Sequence, residues 1–197
     1  PSGKYNIKAD DKHDFMILYS NSIIKGYKAS ILERPRSYAP YRVDIDFLQG
    51  EHDKRIYKEK DVIELCKIIQ EKISSIVLKF DSSLLYCIVL EKKSPSKKKS
   101  GDYGDGFHLH FPNFIISPWI QDLFLRDHLV AECQKKRLFC TQGITAKSEK
   151  YIDKIASKAW LLYGSSKTLI KEPYLYSFCV SPKGKKMAGD LDENISL

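Results

Sequence analysis

A mixed α/β domain is predicted from three patterns in this chain. Tyr41-Arg42-Val43-Asp44-Ile45-Asp46-Phe47 alternates strictly, with Val43, Ile45 and Phe47 on one face and Arg42, Asp44 and Asp46 on the other, the period of a half-buried strand. Val62, Leu65, Cys66, Ile69 and Ile73 recur every three or four residues behind the acids Glu59, Asp61 and Glu64. That is an amphipathic helix whose charges suit its dipole. The remaining apolar runs are strand-sized, and they flank helical stretches irregularly, without the βαβ cadence of a doubly wound sheet. About seven strands and three helices result, with no internal repeat. At 197 residues the chain suits one packed domain, taken as 1–197.

The elements follow in order. Asp10 and Asp11 precede Phe15, Leu18 and Ser22 at helical spacing, and Gly26 ends the run, so a short N-terminal helix is expected. Tyr27 to Leu32 reads as a strand, and a basic, proline-broken connection runs from Arg34 to Pro40. Gln49 to Asp53 is a polar turn between the alternating strand and the amphipathic helix. Ser75 to Phe80 and Leu84 to Leu90 read as a buried pair of strands. Five lysines between Glu91 and Lys99, then Gly101, Gly104 and Gly106, predict a mobile loop over 91–106. Phe107-His108-Leu109-His110-Phe111 alternates as a strand ended by Pro112-Asn113, which Phe114 to Ile116 could continue. Trp119 to Arg137 is a second long helix, with Ile120, Leu123, Phe124, Val130 and Cys133 as its expected inner face. Short apolar runs at 151–154 and 160–163, a last strand from Tyr174 to Val180, and a frayed tail carrying Asp190, Asp192 and Glu193 complete the reading.

Composition excludes some classes. A hydrophobic share of 43% is too high for a disordered chain, and 29% charged residues with no long apolar run exclude a membrane span. The formal charge of +8 permits a polyanionic partner without requiring one, since solubility alone explains such an excess. Five cysteines without a CxxC pair read mostly as buried small hydrophobes in a reducing compartment. The opening Pro1-Ser2-Gly3 lacks an initiator methionine and reads as the start of an excised fragment.

The chemistry-bearing residues form two same-face pairs and two isolated candidates. Asp44 and Asp46, two apart on a strand, project from one surface, and their mutual repulsion is relieved by divalent ions. The plainer alternative is solvated surface. His108 and His110 share a strand face likewise. They could be zinc ligands, but a third soft ligand at suitable spacing is missing. One could instead donate to a phosphate, or either could pack within the sheet. Asp153 is a third carboxylate candidate, placed by the apolar pair Tyr151 and Ile152 at the end of a short strand, although a turn or cap is the ordinary explanation. Gly164-Ser165-Ser166-Lys167 is a turn ending in a cation that could hold phosphate oxygens through backbone N–H groups and one ammonium, although it lacks P-loop spacing.

The set Val43-Asp44-Ile45-Asp46, then Gly106-Phe107-His108-Leu109-His110-Phe111-Pro112-Asn113, then Ile152-Asp153-Lys154 and Trp160-Leu161-Leu162-Tyr163-Gly164-Ser165-Ser166-Lys167 closely resembles the archaeo-eukaryotic primase family. More narrowly it resembles the primase domain of primase-helicases of large cytoplasmic DNA viruses. The resemblance covers about residues 30–180. It implies an RNA-recognition-motif-like antiparallel sheet joined to a smaller α/β module, with the site in the cleft between them. Asp44, Asp46 and Asp153 would bind catalytic Mg²⁺ or Mn²⁺, and His108 would contact the phosphates of a nucleoside triphosphate. Ser165 and Lys167 would face the triphosphate. The family's small residue two before the histidine is Gly106 here, often serine elsewhere. Some relatives carry an arginine where this chain has Leu161, and Arg34, Arg36 or Arg42 could substitute for it. His110 has no family role.

The resemblance implies a DNA-directed primase/polymerase acting by two-metal nucleotidyl transfer, with single-stranded DNA template and primer as partners. It also implies a helicase domain in the same full-length chain, no membrane partner, and a viral replication site in the host cytoplasm. A metal-dependent nuclease, or an inactive nucleic-acid-binding module, is the alternative.

Overall fold

The computed structural model describes residues 3–34, 36–79, 81–140, 144, 147–155, 158–168 and 171–187. Along the chain run helix α1 (Lys12–Ile24), strands β1 (Leu32–Glu33) and β2 (Ala39–Leu48), helix α2 (Glu59–Ile76), and strands β3 (Cys87–Glu91), β4 (Ser96–Lys97) and β5 (Tyr103–Ile116). Helices α3 (Pro118–Ile120), α4 (Arg126–Lys136) and α5 (Ser148–Tyr151) follow, then strands β6 (Trp160–Leu161) and β7 (Leu175–Val180). The class is mixed α/β, and the strand ladders are antiparallel.

The main sheet has the order β2-β5-β3-β7, with β4 paired to the start of β5. On one face Tyr41, Val43, Ile45 and Phe47 of β2 meet Phe107, Leu109 and Phe111 of β5, and all seven are buried. Helix α2 lays Val62, Leu65, Ile69 and Ile73 against this face. Each large apolar side chain so enclosed contributes roughly 1.5–3 kcal/mol. The register follows, because a slip of one residue would drive Asp44 and Asp46 into the core. Gln70 secures the helix to the sheet by donating to the carbonyls of Leu85 and Ser181 at 2.7 and 2.9 Å.

A two-stranded sheet of β1 and β6, with α1 beside it, forms a second and smaller layer. Tyr19 is the buried residue of α1, and its hydroxyl donates to the Tyr163 carbonyl at 2.7 Å. The hydroxyl oxygens of Tyr19 and Ser165 lie 2.8 Å apart, also within hydrogen-bond distance.

Several sequence expectations are corrected. Ser75 and Ile76 belong to α2 rather than a strand, and Lys79 takes a left-handed conformation (φ 61°) that breaks an extended run. Beyond it a 3₁₀ turn, Ser82–Leu84, is capped by the Asp81 carboxylate, so β3 starts only at Cys87. Of the expected strand 27–32, only Leu32 lies in a strand, with an isolated bridge at Ala29. The lysine-rich segment is a hairpin: Ser96 and Lys97 pair with Gly104 and Tyr103, and Lys98 N–H donates to the Asp102 carbonyl. Strand β5 continues through Pro112-Asn113 to Ile116 by bulging there, since Tyr41 pairs with Phe111 while Pro40 pairs with Ile115. The second long helix contains a π turn, Gln121–Leu125, between α3 and α4. The wider turn rotates the inner face, so Gln121, Leu125, Leu129, Val130 and Cys133 are buried while Ile120, Leu123 and Phe124 are exposed. Pro35, Phe80 and the tail acids Asp190, Asp192 and Glu193 lie outside the described residues. The five cysteines are free and four are buried, Cys140 being the exposed one.

Candidate metal and phosphate site

The outward face of the main sheet carries the second half of the β2 alternation. Asp44 pairs across the strands with His108, Arg42 with His110, and Asp46 with Gly106. Gly106 is required here by close approach, because a Cβ at this position would stand 1.9 Å from the Ile45 carbonyl oxygen. Asp153 reaches the same place from the other end of the chain. Tyr151 closes α5, Ile152 bridges to Ile45, and the Asp153 N–H donates to the Asp44 carbonyl at 3.0 Å. Asp153 thus follows a helix end rather than a strand. Carboxylate oxygens of Asp44, Asp46 and Asp153 all lie within 4.8 Å of one another. These three line a cleft of about 540 Å³ together with His108, Lys92 and Lys167.

Three carboxylates this close repel unless cations intervene, and the local charges are arranged accordingly. Burial pushes the Asp44 carboxyl up, but His108, Lys167 and Lys92 outweigh it and hold the group below the usual carboxylate range. His108 Nε2 lies 3.3 Å from Asp44 Oδ1. Oδ1 is sealed from solvent with no satisfied hydrogen bond. A hard divalent cation fits this donor set: oxygen-only, anionic, partly enclosed and with one orphaned acceptor. Asp153 Oδ2 has a provisional counter-ion in Lys158 Nζ at 3.2 Å, an exposed pair of little energetic weight.

The imidazole of His108 is buried between two aromatic rings. Tyr174 stacks on it with ring centroids 3.6 Å apart, and Trp160 lies 4.5 Å away. The Tyr174 hydroxyl donates to Asp46 Oδ1 at 3.3 Å, and burial with the nearby carboxylates pushes its pKa far up, so it remains a donor. His110 serves the architecture. Its Nε2 accepts the Trp160 indole N–H at 3.0 Å, which fixes the neutral imidazole, and burial lowers its pKa to about 3, with His108 and Arg42 adding. Nε2 of His110 is thereby taken by the Trp160 indole and is not offered to a metal.

Arg42 does not open onto the cleft. It is buried, with its guanidinium over the Trp160 ring at 4.8 Å. Arg34 and Arg36 are exposed and do not line the cleft either, whereas Leu161 does. The Gly164–Lys167 turn differs from a phosphate cradle in two of its donors. Ser165 N–H donates to the Leu162 carbonyl and Ser166 N–H to the Ala29 carbonyl, and Ser165 Oγ accepts from the Ile31 N–H. Ser165 lines the cleft with its hydroxyl already engaged, and Lys167 is the part of the turn available to an anion. The sequence reading named Trp160 only within a motif and missed Tyr174 and Lys92. Only an aromatic at the start of the last strand and a lysine adjoining β3 signalled them, and neither is distinctive.

The chain falls in a family of primase-type domains. It belongs to the family described as "C962R protein N-terminal AEP domain" (AEP, archaeo-eukaryotic primase), which matches residues 1–179. The chain is 34% identical over 182 residues to "Putative helicase L207/L206" of Acanthamoeba polyphaga mimivirus, covering 91% of this chain and 19% of that protein. It is 30% identical over 215 residues to "Putative helicase 121R" of Invertebrate iridescent virus 3, with 99% and 22% covered. It is also 30% identical over 196 residues to "Putative helicase 184R" of Invertebrate iridescent virus 6, with 89% and 20% covered. The chain thus spans about a fifth of the length of these viral relatives. Among the described residues no helix is long and apolar enough to cross a membrane.

Proposed function

We propose that this chain is the primase/polymerase domain of a primase-helicase from a large cytoplasmic DNA virus, of the kind found in African swine fever virus. It makes primers on single-stranded DNA by nucleotidyl transfer. The observation that carries the reading is the convergence of Asp44, Asp46 and Asp153 on the outward face of a rigid sheet, beside His108 and cationic side chains. Mg²⁺ or Mn²⁺ bound there would activate the attacking 3′-hydroxyl and stabilise the departing pyrophosphate. The residues of the chain do the rest. Tyr174 holds Asp46 in place, and the Asp153 N–H ties its own carboxylate to the β2 strand. With Asp44 engaged by a cation, the His108 N–H is free to donate to a phosphoryl oxygen, an interaction that strengthens as charge builds on the leaving group. Lys167 attracts the triphosphate. The helicase partner belongs to the same full-length chain, a reading supported by viral relatives that are named putative helicases and are about five times as long, and the workplace is a replication site in the host cytoplasm.

The test is nucleotide incorporation on a single-stranded template by the wild type and by the His108→Ala variant, with thermal unfolding alongside. A drop in turnover on the order of tenfold to a thousandfold with unfolding unchanged supports the assignment. Equal turnover in both proteins contradicts it.

A further inference from the structure

Lys92 stands immediately after β3, half-buried in the wall of the cleft. Its Nζ lies 4.5 Å from the centroid of the Tyr174 ring, the ring that also stacks on His108 and whose hydroxyl donates to Asp46. The backbone on which Lys92 rides is clamped from below. Arg55 Nη2 donates to the Lys92 carbonyl at 2.7 Å. Arg55 is itself fixed by Asp105, whose side chain is fully enclosed and accepts from Nε at 2.8 Å and from Nη2 at 3.3 Å. Glu91, the residue before Lys92, lies 3.1 Å from Arg55 Nη1 and accepts from the Tyr57 hydroxyl at 2.7 Å. An arginine held this firmly in a polar network has a structural task, and the atom it holds in the cleft wall belongs to Lys92.

Removing an ammonium from water is costly unless an anion or a ring face replaces the lost solvation. Tyr174 supplies the ring, and the charges of Asp46 and Asp44 supply attraction. Once divalent ions take those carboxylates, Lys92 loses its counter-charge and faces added positive charge. The anion that restores the balance is one that enters with the metal. No arginine serves, because Arg42 lies under Trp160 and Arg34 and Arg36 are outside the cleft lining; Lys167 lines the cleft too, and Lys92 is the lysine there whose ammonium lies over the Tyr174 ring and whose backbone Arg55 holds. We propose that Lys92 binds the triphosphate of the incoming nucleotide and that Arg55 is the positioning residue that holds it there. This assignment rests on the nucleotidyl-transfer reading and separates Lys92 from the lysines of the hairpin beyond it.

The experiment uses the whole chain with Mn²⁺ and measures three affinities: a non-hydrolysable nucleoside triphosphate, the matching monophosphate, and a single-stranded oligonucleotide across a salt series. Lys92→Ala should weaken the triphosphate on the order of tenfold to a hundredfold, the worth of one charge-assisted hydrogen bond. It should leave the monophosphate and the oligonucleotide salt slope unchanged. Lys93→Ala, at an exposed neighbour outside the cleft, should alter none of the three. Arg55→Lys cannot reproduce the two-nitrogen grip on Asp105. It should weaken the triphosphate less than Lys92→Ala does and add little to it in the double variant, because the two act as one unit. Should Arg55→Lys unfold, the Lys92→Ala comparison decides alone. Loss of oligonucleotide affinity with triphosphate binding intact would make Lys92 a template contact and overturn the proposal, as would no change in either. A wild type that binds no triphosphate with Mn²⁺ would overturn the nucleotidyl-transfer reading itself.

Discussion

Replacing His110 with glutamine should remove an acid-sensitive step from the stability of this protein. The His110 imidazole accepts the Trp160 N–H at 3.0 Å and pairs across the sheet with Arg42. The fold therefore holds it neutral and lowers its pKa from 6.5 to about 3, chiefly by burial, with His108 and Arg42 adding. In the unfolded chain the same imidazole protonates near pH 6.5. Above that pH neither state binds the proton, and the stabilisation is complete. As pH falls below it, the unfolded state takes a proton that the folded state refuses, and stability is lost progressively until about pH 3. The slope cannot exceed about 1.4 kcal/mol per pH unit, so from pH 6.5 to pH 5 the loss is at most about 2 kcal/mol. Glutamine keeps an acceptor for the indole and does not titrate. Urea unfolding of both proteins at half-unit steps between pH 7.5 and 5 should show curves that diverge as pH falls, with the wild type losing more. Other groups titrate alike in both and cancel. Parallel curves would refute the argument that His110 is held neutral by the fold.

Further expectations concern backbone approach and template binding. Gly106→Ala places a Cβ 1.9 Å from the Ile45 carbonyl oxygen, so β2 and β5 must part. The unfolding midpoint should drop by the equivalent of about 1–3 kcal/mol, the range for overpacking, and an unchanged midpoint would contradict the strand register. Alanine at Lys97, Lys98 and Lys99 together should weaken oligonucleotide binding. It should also flatten the salt dependence by about 0.7 for each phosphate no longer neutralised, and an identical slope would make the run a solvated surface.

How far the sequence discloses this structure depends on the range of the interactions involved. The Tyr41–Phe47 alternation is a local property, and it correctly turns Asp44 and Asp46 outward. The spacing of Val62, Leu65, Ile69 and Ile73 similarly places α2 on the sheet. Periodicity is blind to a change in helix type, so the π turn at Gln121–Leu125 reverses the expected roles of Leu123, Phe124 and Leu125. The convergence of Asp153 on Asp44 is set by the Ile152–Ile45 bridge between distant segments, which no local pattern encodes. The motif resemblance supplied that grouping. The hairpin at Ser96–Lys97 is likewise decided by β5, since a lysine-rich run has little preference of its own. Ser165 illustrates the reverse case: its sequence context suggested a phosphate contact, while Ile31, Leu162 and Tyr19 engage its polar atoms.

The central claim is that Asp44, Asp46 and Asp153 form a two-metal centre for nucleotidyl transfer. Crystals grown with Mn²⁺ and a non-hydrolysable nucleoside triphosphate, read by anomalous scattering, test it most directly. The account predicts two manganese peaks roughly 3.5–4 Å apart, ligated by these three carboxylates, with the triphosphate oxygens on the cleft side. Manganese bound elsewhere, or a triphosphate lying away from the three aspartates, would contradict it.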